Sequence, residues 1–207
     1  MSEKGADKQR FNRKSATDRR RELIAAGIAC LGDGGMAGFT IDRICRQAGI
    51  SRGLINHHFD GKDDLLASIY RDMTDHLLHE YPGLEGAALL RAIIDTSFDD
   101  STFNRSNLRA WLAIWGQVSS NVALKQLHSE RYDAYRKRIE QAIDQVARES
   151  GLTIDSASMA RQLIALIDGL WLEYCLHSNS FSLSDARQDC YGFLETRGID
   201  TEMAETA

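Results

Sequence analysis

Thr40-Ile-Asp-Arg-Ile-Cys-Arg-Gln-Ala-Gly-Ile-Ser-Arg-Gly-Leu-Ile-Asn-His-His-Phe-Asp-Gly-Lys62 is the segment that commits this chain to an architecture. Ile41, Ile44, Cys45 and Ala48 recur at i, i+3, i+4 and i+7, the spacing of one helical face. Gly49 suits a left-handed C-terminal cap, and Ser51 offers an N-cap oxygen to a second helix. In that second helix Leu54, Ile55 and Phe59 are expected to turn inward, leaving Arg52, Asn56 and His57 in water. Two short amphipathic helices joined by a tight glycine turn, the second with a polar outer face, make a helix-turn-helix of the kind that reads DNA.

The rest of the 207-residue chain agrees with a helical reading. Pro82 is its single proline, strand-and-turn punctuation is missing, and apolar residues recur at helical spacing nearly throughout. The predicted class is all-α, with an N-terminal DNA-binding domain and a C-terminal helical domain. No stretch approaches the roughly 20 apolar residues a membrane span needs, and the basic N-terminus has no apolar core of a secretion signal. Cys30, Cys45, Cys175 and Cys190 form no C-x-x-C pair and read as reduced structural thiols, so a cytoplasmic protein without a metal or cofactor is expected. Charge is distributed unevenly. Residues 1–62 hold 12 Lys and Arg against 7 Asp and Glu, a net of +5, which leaves −10 on the remainder. A basic head on an acidic body suits a polyanion bound at one end.

Residues 1–16 are expected to be a flexible basic arm, 17–62 the DNA-binding domain, 63–197 the body and 198–207 an acidic tail. The first helix should start near Ser15 or Thr17, bury Leu23, Ile24, Gly27, Ile28 and Leu31, and stop at Gly32-Asp-Gly-Gly35. Arg19, Arg20 and Arg21 crowd its first turn, where the helix dipole disfavours cations and a nearby polyanion would compensate. Asp60 reads as the N-cap of a longer helix striped by Leu66, Ile69, Met73 and Leu77, running to Tyr81-Pro82-Gly83. Further helices are predicted at about 84–98, 105–119, 121–149, 155–177 and 183–196.

The run from Arg20-Arg-Glu-Leu-Ile through Phe39-Thr-Ile-Asp-Arg-Ile to Gly53-Leu-Ile-Asn-His-His-Phe-Asp-Gly-Lys-Asp-Asp-Leu-Leu66 closely resembles the tetracycline-repressor (TetR) family of bacterial regulators. Leu108-Arg-Ala-Trp-Leu-Ala-Ile-Trp115 and Ala165-Leu-Ile-Asp-Gly-Leu-Trp-Leu172 are similar to the C-terminal domain of its BetI branch, choline-responsive repressors of glycine betaine synthesis. The resemblance implies a homodimer of helical subunits, paired through the last two long helices and bound to a palindromic double-stranded operator. It places Ser51, Arg52, Gly53, Asn56, His57 and His58 on the recognition helix. Thr40 would cap the preceding helix against a phosphate, and Lys62 would hold the backbone at the start of the fourth. The family commonly has tyrosine where His57 or His58 stands, which puts a pH-sensitive donor there.

Arg52 suits a bidentate contact with guanine and Asn56 one with adenine, while Gly53 lets the helix backbone approach the groove. Thr40, His58 and Lys62 suit phosphate contacts, which position without specifying; packing of His58 beside Phe59 is the other reading of that residue, and both stay open. In the body, Trp111 and Trp115 share a helical face, and Asp168, Trp171 and Tyr174 lie on another helix. Aromatic faces with one carboxylate in an apolar run suit a quaternary ammonium effector such as choline; a plain core, with Asp168 bonded to an Arg or a hydroxyl, is the bland reading. Glu173 falls on a different face. An enzyme is not expected, since no nucleophile motif, phosphate loop or acid–base pair is present. His76, His79 and Glu80 are a partial metal set that reads as an exposed polar face. The alternative within the regulator class is a repressor of an efflux or catabolic operon that answers a hydrophobic or other small ligand.

Overall fold

The computed structural model describes residues 15–100, 103–177 and 180–201. The arm at 1–14 and the last six residues of the acidic tail lie outside the described residues. Ser15 opens α1 (Ala16–Gly38), its hydroxyl accepting the Asp18 backbone N–H at 3.0 Å. The helix does not stop at Gly32 as the glycine cluster suggested. It continues to Gly38 and breaks at Gly35, whose φ of 56° and ψ of −154° only glycine adopts without strain. Gly32 stays helical because α1 needs a residue without a side chain there: a Cβ would come within 2.3 Å of the Ser106 hydroxyl and 2.7 Å of its carbonyl.

Thr40 caps α2 (Ile41–Ala48), accepting the Arg43 N–H at 3.3 Å, and Gly49 closes it in the left-handed region at φ 65°. The next helix is shorter than its pattern suggested: α3 spans Arg52–Ile55 only. Beyond it, His57 and His58 bond three residues back, to Leu54 and Ile55, so the chain tightens into a turn. Gly53, Asn56 and the two histidines are weak helix formers, and little holds a longer helix together. Ser51 precedes α3 without a side-chain cap bond, another departure from the expectation.

The helix α4 (Lys62–Thr74) is capped by Gly61 at φ 128° rather than by Asp60, whose own N–H instead donates to Asp64. It ends seven residues before the expected site at Tyr81, passing into a 3-10 turn at Asp75–Leu78. The predicted stripe Leu66, Ile69, Met73 and Leu77 is buried throughout. The body holds α5 (Gly86–Ser97), α6 (Arg105–Val118), α7 (Val122–Ser150), α8 (Ser156–Leu176) and α9 (Leu183–Glu195). Their starts follow local chemistry: Asn104, Asn121, Asp155 and Ser182 each accept a backbone N–H three residues on, and Ser182 forms a capping box with Asp185.

Among the described residues every regular element is helical. The helix α1 packs on α2, α4 and α6, while Gly151 lets α8 fold back along α7. Buried apolar side chains form one continuous core from Leu23 to Ile199, so the N-terminal helices are joined to the body by packing. No described helix is long and apolar enough to cross a membrane.

Candidate functional site

Two regions carry the expected chemistry. At the N-terminal end, Thr40, Ser51, Arg52, Gly53, Asn56 and His57 are all exposed on one corner of the molecule, around the α2–α3 turn. A Cβ at Gly53 would meet nothing, so the outer surface of α3 is open. Arg52 is not a free guanidinium: it forms an ion pair with Asp42 on α2, which holds the Asp42 carboxyl below its ordinary value. Asn56 and His57 lie just past the α3 C-terminus instead of on the helix, and His58 is half-buried beside the fully buried Phe59. Lys62 stands over the Phe39 ring at 5.5 Å. Of the three arginines in the first turn of α1, Arg19 bonds Glu22 and Arg20 donates to the Ser68 hydroxyl at 2.8 Å while covering Phe59. Arg20 therefore braces α1 against α4, while the Arg19–Glu22 pair lies within α1.

The second region is a cavity of about 510 Å³ between α6, α7 and α8, within the range of small-molecule sites. Trp115, Tyr132 and Asp168 line both this space and a narrow inner extension walled by Trp111, Trp171 and His76. Trp111 meets Trp115 edge to face at 5.3 Å and Trp171 at 6.0 Å, so the three tryptophans form one cluster. Trp171 is fixed by its indole N–H, which donates to the Ser97 carbonyl at 3.0 Å. Tyr174 does not join them. It packs between Phe103 and Phe181, away from the cavity lining.

Among the described residues Asp168 has no cationic partner within bonding distance. It accepts a long hydrogen bond, 3.4 Å, from the Tyr132 hydroxyl. Burial raises its pKa to about 7, with the tyrosine bond pulling the other way. A carboxylate in such a place is stabilised by any cation that enters.

Several lining residues escaped the sequence reading. His76 is not on an exposed polar face: its ring stacks parallel to Trp171 at 6.0 Å, and burial lowers its pKa to about 4. The 3-10 turn at the end of α4 swings it inward, which the helical pattern could not anticipate. His128 and Tyr132 lie one turn apart on α7, where their neighbours are charged, and their rings are 4.3 Å apart. His128 Nδ1 also shares a 2.6 Å hydrogen bond with the Tyr70 hydroxyl of α4, and burial lowers the His128 pKa. A connected path therefore runs from Asp168 through Tyr132 and His128 to α4. No group of three metal-ligating side chains gathers among the described residues.

Comparison with known proteins bears on both regions. Residues 23–69 match the family model of bacterial regulatory proteins of the tetR family, and residues 86–198 that of the BetI-type transcriptional repressor C-terminal region. The HTH-type transcriptional regulator BetI 1 of Chromohalobacter salexigens is 35% identical over 191 residues, covering 86% of this chain and 89% of that protein. The regulator BetI of Escherichia coli is 35% identical over 166 residues, covering 76% and 83%. Among solved structures, a transcriptional regulator from Pseudomonas aeruginosa superposes with a TM-score of 0.78 at 36% identity, covering 91% of this chain and 94% of that one. A regulator from Saccharomonospora viridis, solved in complex with choline, has the same fold: TM-score 0.74 at 23% identity, covering 86% and 96%.

Proposed function

The chain belongs to the tetR family of bacterial regulatory proteins, with a BetI-type repressor C-terminal half, and from that premise we propose that it binds a palindromic operator as a homodimer and releases it when a small cation fills the α6–α7–α8 cavity. Residues 17–62 are the DNA-reading part. Arg52 and Asn56 contact base edges, Gly53 and His57 lie against the groove, and Thr40, Ser51, His58 and Lys62 hold phosphates. Residues 63–197 bind the effector and pair with a second copy through α8 and α9. On α8, Gly169, Leu172 and Leu176 form an exposed stripe at i, i+3 and i+7, with Leu176 70% exposed, and such a stripe suits a partner helix.

One observation carries the effector reading: Asp168 is a carboxylate without a cation, set against Trp115 and Tyr132 in a cavity of ligand size. A quaternary ammonium ion needs those two features, aromatic faces and an opposing charge. The choline bound by the Saccharomonospora viridis regulator supports this class of ligand for the fold. Choline is the ligand to try first.

Filling the cavity moves Tyr132 and His128, and through the Tyr70 bond it moves α4. With the cavity empty, the two recognition corners are spaced for successive major grooves, roughly 34–36 Å or a multiple. The filled state breaks that spacing, and choline shifts the balance only by its preference for that state. The test is a titration of choline into the protein bound to a fragment of its own promoter. Release that is lost in Asp168→Asn supports the reading; retention of DNA at saturating choline, betaine aldehyde and other quaternary amines removes it.

A further inference from the structure

A bare cation leaves one end of the cavity unexplained. Its lining includes Arg136 of α7 and Arg161 of α8 as well as Asp168. Arg161 precedes Asp168 by two helical turns, about 10 Å along α8. Arg136 follows Tyr132 by one turn, about 6 Å along α7. Because α8 folds back along α7, both steps lead the same way, toward the turn at 151–155. The space is therefore dipolar, with the carboxylate and aromatic rings at one end and two guanidinium groups at the other. Arg136 is held by an ion pair with the exposed Asp133. Arg161 is exposed and has no carboxylate partner among the described residues. A guanidinium at that end works against a ligand that is only a cation, since like charges repel. It suits one that also carries an anion, for which its planar fork of donors is matched.

We infer that the effector is a small zwitterion, a methylated ammonium group joined by a short chain to a carboxylate or phosphate. The ammonium lies against Trp115, Tyr132 and Asp168, and the anionic group bonds Arg161, with Arg136 beside it. This rests on the cation reading of the Asp168 end and adds the second charge.

The experiment compares choline, glycine betaine, γ-butyrobetaine, phosphocholine and butanoate as ligands of the full chain. Binding is followed by tryptophan fluorescence and by release from the promoter fragment. At least one zwitterion is expected to bind about tenfold or more tighter than choline, and butanoate not at all. In Arg161→Gln the ratio of zwitterion to choline affinity falls toward one, and in Arg161→Glu choline becomes the better ligand. Both substitutions are at an exposed position, and circular dichroism checks that the fold is kept. The order of γ-butyrobetaine and phosphocholine assigns the anionic group. Choline binding as tightly as every zwitterion, with that ratio unmoved in Arg161→Gln, overturns the inference and leaves the cation reading standing. If neither choline nor any zwitterion binds, or if Asp168→Asn alters none of their affinities, the cation reading fails as well.

Discussion

Asp168 is the residue on which the effector reading turns, and its titration makes it testable. Its folded-state pKa of about 7 lies above the ordinary carboxylate value of 3.8, so between those limits the folded chain binds more protons than the unfolded one. Stability of the empty protein from this group is therefore present at low pH and is lost as pH rises through about 7. His76 acts in the opposite sense: with a pKa of about 4 against 6.5, it stabilises the folded state above 6.5 and that contribution is lost as pH falls toward 4. The two oppose each other in one window, so the difference between wild type and Asp168→Asn, measured by urea unfolding across pH, isolates the carboxylate. A cation should bind the ionised form, so choline affinity is expected to rise about tenfold between about pH 6 and about pH 8, and to be flat in Asp168→Asn. Calorimetric titration at the two pH values decides it. At the other end of the molecule, Arg52→Ala should relax base preference at one operator position by about 1–3 kcal/mol, read by binding to operators varied base by base. Asp168 could be picked out from sequence because a lone carboxylate in an apolar helical run is out of place. Arg161 and His128 could not: Arg161 beside Gln162, and His128 among the charged residues of α7, each read as ordinary surface until α7 and α8 are laid side by side.

At the scale of helices, two contacts tie the cavity to the DNA-facing end. Gly32 lets α1 rest on the start of α6, the helix that carries Trp111 and Trp115. In Gly32→Ala the new methyl group meets Ser106 backbone that cannot swing aside, so a loss of about 1–3 kcal/mol in urea unfolding is expected. The second contact is the Tyr70–His128 hydrogen bond between α4 and α7. Tyr70→Phe leaves a half-buried imidazole nitrogen without its partner, at about 1–3 kcal/mol. It should also raise the choline concentration needed for DNA release more than it weakens choline binding itself. Equal changes in both would show that the bond stabilises without coupling. Helices and their faces were legible because apolar spacing and capping residues are local: the stripe of α4 is buried as its pattern implied. Ends were less legible where two local signals compete. Asp60 and Gly61 both suit an N-cap; the backbone takes Gly61 at φ 128°, and the Asp60 N–H donates to Asp64. The cluster at Gly32–Gly35 likewise contains one true break, Gly35, and one close approach, Gly32, which composition alone does not separate.

For the whole molecule, the proposed operator-bound pair would present two basic ends, one from each subunit. The net of +5 on residues 1–62 against −10 on the rest directs a polyanion to one end and away from the body. Operator affinity should accordingly fall steeply with salt, by a slope set by the phosphates held in both subunits together. Pairing is what makes that total possible, and the exposed leucines of α8 are where it can be tested. Leu176 is 70% exposed in the single chain, so Leu176→Glu removes no core contact and should change the chain's own stability by no more than about 0.5 kcal/mol. Placed in a helix-to-helix interface, the same carboxylate would be desolvated on both sides of a two-fold axis and would split the pair. The variant is expected to sediment as a monomer, keep its helical content and tryptophan response to ligand, and bind the operator at least about 100-fold more weakly, because the second half-site is no longer tethered. Its salt slope should fall to about half, since only one set of phosphates is then engaged. A variant that still sediments as a dimer would place the two-fold elsewhere than the α8 stripe, and a monomer with undiminished operator affinity and salt slope would mean that one corner alone accounts for binding.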